Sequence, residues 1–87
     1  MGPGAMKINV TVPQLGPNMF EATFVTWLKN VGDTVKQGDI VAEVMTDKVN
    51  LDVEAPADGV LAELAAEPDQ VVAVDSVLGV IETEDPQ

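Results

Sequence analysis

The stretch Val44-Met45-Thr46-Asp47-Lys48-Val49-Asn50-Leu51-Asp52-Val53 places a lysine at the centre of a predicted β-hairpin. The 87-residue chain has only four basic residues, Lys7, Lys29, Lys36 and Lys48. An exposed amine on a flexible stem, held away from the core, can be acylated once a modifying enzyme takes its proton, and acylation removes its charge. Taken alone, a lysine in a turn is more commonly just a solvated residue. Asp52 and Glu54 lie two apart on one strand face, a spacing that could serve acid–base chemistry. The simpler reading is the solvent face of the hairpin, because Val49, Leu51 and Val53 require the opposite face.

The rest of the composition narrows the chemistry. There is no cysteine and no histidine, which removes disulfides, thiolate catalysis, cysteine–histidine zinc sites and histidine-based triads. No catalytic residue and no metal ligand is assigned. A net charge of −11 argues against nucleic acid, which needs clustered Lys and Arg, and against an anionic membrane surface. The acidity keeps a small domain soluble and monomeric, and it is compatible with steering toward a basic protein surface. No stretch reads as a signal peptide or transmembrane span.

The elements that must position Lys48 are strands. Fifteen valines dominate the apolar residues, and the only aromatics are Phe20, Phe24 and Trp27. Valine suits a pleated sheet better than a helix. Strands are expected over 8–12, 21–28, 34–35, 40–46, 49–53, 60–64, 71–74 and 77–82. Pro13, Gly16, Pro17, Gly32-Asp33, Gly38-Asp39, Pro56, Asp58-Gly59 and Pro68-Asp69 punctuate them. Leu61 to Glu67 has helical propensity, but an internal repeat overrides it. At an offset of 37 residues, 35–46 aligns with 72–83, Phe24 with Leu61, and Trp27 with Leu64. The fold expected is all-β, a flattened barrel or sandwich of two four-stranded antiparallel sheets with pseudo-twofold symmetry. Lys48 and the chain termini then fall at opposite ends. Trp27 is expected in the core. Asp47-Lys48 lacks the glycine that a primed hairpin turn prefers, which predicts an ordinary turn without positive backbone angles.

Thr46-Asp47-Lys48-Val49 resembles the Asp-Lys-Ala or Asp-Lys-Val motif of lipoyl domains, the carrier domains of 2-oxo acid dehydrogenase complexes. The segments 27–35, 38–44 and 54–61 fit the same family, so the likeness spans residues 6 to 83. Met45 departs from it, standing where the family often has glutamate. Residues 1–5 read as an expression remnant, 6–83 as the domain, and 84–87 as the start of a linker.

The resemblance implies that Lys48 carries lipoic acid as an amide, with Asp47 and Val49 read by a lipoate ligase or lipoyl/octanoyl transferase. It implies that Leu15, Gly16, Pro17 and Asn18 form a surface loop recognised by a thiamine-dependent 2-oxo acid decarboxylase. The acyltransferase core and dihydrolipoamide dehydrogenase would be further partners. The domain itself would catalyse nothing, and it would lie in the cytoplasm of a bacterium or archaeon or in the mitochondrial matrix of a eukaryote. The same fold serves biotin carriers, but these place methionine on both sides of the lysine, whereas here the neighbours are Asp47 and Val49. An unmodified interaction module is a third reading. The lipoylated hydrogen carrier of glycine cleavage is longer, with helical elements not visible here.

Overall fold

The computed structural model describes residues 5–84. Residues 1–4 and 85–87, most of the remnant and linker segments, lie outside that range. Eight strands follow one another: β1 (Ala5–Thr11), β2 (Glu21–Trp27), β3 (Thr34–Val35), β4 (Ile40–Met45), β5 (Asn50–Glu54), β6 (Gly59–Leu64), β7 (Val71–Ala73) and β8 (Val77–Glu84). They form two four-stranded sheets, ordered β1-β8-β6-β3 and β5-β4-β2-β7, with every pairing antiparallel. The sheets pack as a flattened sandwich and do not close into a barrel. The helical propensity of 61–67 loses to tertiary packing, since Leu61 is fully buried on β6.

The expected repeat holds down to individual backbone pairs. Thr23 pairs with Met45 and, 37 residues on, Val60 pairs with Glu82. Trp27 with Ala42 matches Leu64 with Gly79, and both ladders bulge between the equivalent pairs Phe24/Thr26 and Leu61/Glu63. β1 and β5 are equivalent at an offset of 43, so Lys7 with Glu82 matches Asn50 with Met45. Each half therefore lends strands to both sheets, and neither half can bury its apolar face without the other.

The core is built from the same equivalences. Phe24 and Leu61, Val44 and Ile81, Val41 and Leu78, Val35 and Val72, and Val53 and Val10 are all buried counterparts. Turn geometry repeats as well. Gly32 and Gly38 take positive φ of 96° and 92°, and their counterparts Asp69 and Asp75 both take 71°. Asp is among the few residues that tolerate this region. Trp27 is half-buried; its ring lies tilted at 48° to that of Phe24 with centroids 5.3 Å apart, and its Nε1 donates to the Ala66 carbonyl at 3.0 Å.

Candidate functional site

β4 and β5 are adjacent strands joined by Thr46 to Val49. The last ladder pair is Met45 with Asn50, and just beneath the tip Asn50 Nδ2 donates to Glu43 Oε2 across the strands at 3.1 Å. Neither Asp47 nor Lys48 has a positive φ. The turn is closed by Thr46, whose N–H donates to the Val49 carbonyl at 2.8 Å. Its Oγ1 accepts from the Lys48 N–H at 3.2 Å and the Val49 N–H at 3.1 Å, and lies 3.1 Å from the Val49 carbonyl as a donor. One hydroxyl thus takes over the bonding that a glycine turn would arrange through the backbone.

This role of Thr46 was missed in the sequence. A hydroxyl residue directly before a glycine-free turn was the available signal. Asp47, Lys48 and Val49 are all exposed. Lys48 enters the turn through its backbone N–H, which fixes where the side chain begins. The site can therefore present one amine to a large partner.

The alternation expected for β5 fades toward the tip. Val53 is buried and Leu51 half-buried, but Val49 is 51% exposed. The strand starts only at Asn50, so Val49 belongs to the turn and has no sheet face to turn inward. Asp52 and Glu54 are exposed on the outer face of β5.

The loop 15–18 is less uniform than its sequence suggests. Leu15 is buried with the core, whereas Pro17 and Asn18 are exposed. Gly16 at φ 125° and Asn18 at φ 64° bend the backbone sharply, and the Met19 N–H donates to the Gly16 carbonyl at 3.3 Å. Between this loop and the hairpin runs an open groove of about 620 Å³. Asn18, Met19 and Phe20 line it from the loop, and Met45, Thr46 and Asp47 from the hairpin. Leu15, Gly16 and Pro17 do not line it. Phe20, one of three aromatic residues, lies in this groove, 72% exposed.

Fold and site together define a presenting module, a β-sandwich that holds one exposed lysine at a pinned hairpin tip. Residues 8–81 match the family model described as "Biotin-requiring enzyme", the biotin/lipoyl family. The chain belongs to the biotin/lipoyl family and, within it, to the lipoyl domains. The dihydrolipoyllysine-residue succinyltransferase component of the 2-oxoglutarate dehydrogenase complex of Haemophilus influenzae is 44% identical over 78 residues, 90% of this chain and 19% of that protein. The dihydrolipoyllysine-residue acetyltransferase component of the pyruvate dehydrogenase complex of Corynebacterium glutamicum is 42% identical over 76 residues, 87% of this chain and 11% of that protein. The chain thus spans a fifth or less of the length of these relatives. The solution structure of the lipoyl domain of the 2-oxoglutarate dehydrogenase complex from Azotobacter vinelandii has a TM-score of 0.68 at 33% identity, covering 91% of this chain and 99% of that one.

Proposed function

We propose that this domain is a lipoyl carrier, which moves acyl groups and reducing equivalents on Lys48 between components of a 2-oxo acid dehydrogenase complex. The observation that carries this reading is Lys48 itself, exposed at a hairpin tip and flanked by Asp47 and Val49. Methionine flanks on both sides would have favoured biotin.

The residues present fit a covalently attached lipoyl group. Lys48 holds it as an amide, and the exposed stem leaves the site open to enzymes much larger than the domain. When attached, the group supplies a disulfide that can be reduced, acylated and reformed. Thr46 pins the backbone on both sides of Lys48, so that a modifying enzyme meets a fixed tip. Asp47 and Val49 are the side chains such an enzyme, a lipoate ligase or lipoyl/octanoyl transferase, reads beside the amine. Leu15 anchors the neighbouring loop in the core, and Gly16, Pro17 and Asn18 give it the shape that a thiamine-dependent decarboxylase recognises. The acyltransferase core and dihydrolipoamide dehydrogenase complete the set of partners. The carrier unit, expected over 6–83, takes in Ala5 and Glu84 as well, which pair with each other at the ends of β1 and β8. Tethering replaces diffusion with a local concentration on the order of millimolar.

Intact-mass measurement on protein from its native host, with peptide mapping, tests the reading. A lipoyl or octanoyl increment on Lys48 is expected. A biotin increment, or an unmodified Lys48, overturns it. Lys48→Arg is expected to keep the fold and lose all reductive acylation by the decarboxylase; acylation that survives the change sinks the proposal.

A further inference from the structure

The groove beside the hairpin is apolar where the fold does not require it to be. Phe20 is 72% exposed, Val71 60% and Met45 41%, and all three line it. At the 37-residue offset their counterparts are Ala57, Thr34 and Glu82. The backbone pairs are the same in both halves, since Thr23 sits between Met45 and Val71 as Val60 sits between Glu82 and Thr34. At these three positions small and polar residues therefore satisfy the architecture in the other half, although Val60, the counterpart of Thr23, is itself 40% exposed. Large exposed apolar side chains in this half mark something that binds there.

We propose that the groove formed by Phe20, Met45 and Val71 is a resting site for the acylated Lys48 arm, so that the arm lies against the domain between encounters with partners. The inference rests on the lipoyl reading of Lys48. Occupancy by the domain's own arm follows from connectivity. Asp47 lines the groove and is bonded to Lys48, so the attached chain is held next to these surfaces at an effective concentration on the order of millimolar. Weak contact with an apolar acyl chain is then enough to populate the rested state. Openness of the groove keeps release fast, as a carrier needs. No other segment of the described chain has such a tether to it.

The test uses the whole chain, lipoylated by a lipoate ligase and mapped to Lys48 by mass. Nuclear Overhauser contacts are expected from the lipoyl chain to the Phe20 ring, the Met45 methyl and the Val71 methyls. A triple variant, Phe20→Ala, Met45→Glu and Val71→Thr, installs the counterpart residues at these three positions. It should stay folded by amide dispersion, lose those contacts, and have its dithiolane reduced by a small phosphine roughly two- to tenfold faster than wild type. A lipoylated wild type with no such contacts and a reduction rate equal to the variant's overturns the inference while leaving the lipoyl reading intact. Groove signals that shift only when the decarboxylase is added assign the groove to that partner and overturn it as well. Failure of Lys48 to accept lipoate removes both readings together.

Discussion

The β4–β5 hairpin and its counterpart, where β8 ends beside the start of β1, are built on one plan. Met45 pairs with Asn50 as Glu82 pairs with Lys7, and Val44 with Leu51 as Ile81 with Ile8. The two places differ in what lies beyond those pairs. At the first, the strands are joined by Thr46, Asp47, Lys48 and Val49, with Phe20, Met45 and Val71 exposed alongside. At the second, the ladder runs on through Met6 with Thr83 and Ala5 with Glu84, and the equivalent positions hold Ala57, Glu82 and Thr34. What the halves share is the alternation that buries the core. What they do not share is the part no core needs, and the function proposed for the domain draws on that part.

If the shared part is the fold, equivalent core residues should be equally important. Phe24→Ala and Leu61→Ala remove counterparts that are both fully buried. Each should lower unfolding free energy by about 3–5 kcal/mol, measured in urea, because each leaves a cavity between the sheets. A loss confined to one of them would mean that the halves do not carry the core jointly. A smaller but sharper effect lies at Gly79, whose counterpart Ala42 is buried and carries a Cβ without difficulty. At Gly79 a Cβ would meet the Glu63 carbonyl oxygen at 2.5 Å and the Trp27 ring at 2.8 Å. Gly79→Ala should therefore cost about 1–3 kcal/mol by overpacking. A neutral result would show that Trp27 can move aside.

The turns give the next step down. Gly38 has open space where a Cβ would go, and its counterpart Asp75 already holds a positive φ. Gly38→Asp should stay within about 0.5 kcal/mol of wild type, whereas Gly38→Val should cost about 1–2 kcal/mol from backbone strain alone. Equal costs for the two would mean that something other than φ selects glycine there.

These cases also separate what the sequence disclosed from what it concealed. Strands β2 to β8 were legible because valine and isoleucine mark alternate faces, and because two imperfect copies of one pattern correct each other. Leu61 is the clearest example: its local propensity is helical, and only alignment with Phe24 identifies it as a core strand residue. Lys48 stood out by rarity and by its neighbours. The exposure of Phe20 and Val49 was not legible, since an apolar residue type says nothing about where a strand stops and a turn begins. β1 starts at Ala5, earlier than its alternation suggests, because pairing with β8 holds backbone there whatever the side chains are. The role of Thr46 was hidden for a related reason. Its hydroxyl acts on backbone N–H groups, and such local bonds leave no periodic trace in a sequence.

Thr46 is thus where the smallest change in stability should accompany a clear change in function. Thr46→Val keeps the β-branched shape and removes the acceptor for the Lys48 and Val49 N–H groups, which are 3.2 and 3.1 Å away. Both N–H groups are exposed, so water replaces most of what is lost, and unfolding should shift by only about 0.5–1 kcal/mol. The tip, however, loses the contact that fixes it between two strands. Amide exchange at Lys48 and Val49 should accelerate severalfold while the core amides of Phe24 and Leu61 stay as protected as before. Transfer of lipoate to Lys48 should slow in the same variant, because the ligase must then order the turn itself. Unchanged exchange at the tip would show that the Thr46 N–H bond to Val49 alone holds the turn. Unchanged lipoylation on a loosened tip would show that the ligase reads Asp47, Lys48 and Val49 as a flexible segment, and that the pinned geometry serves a later partner.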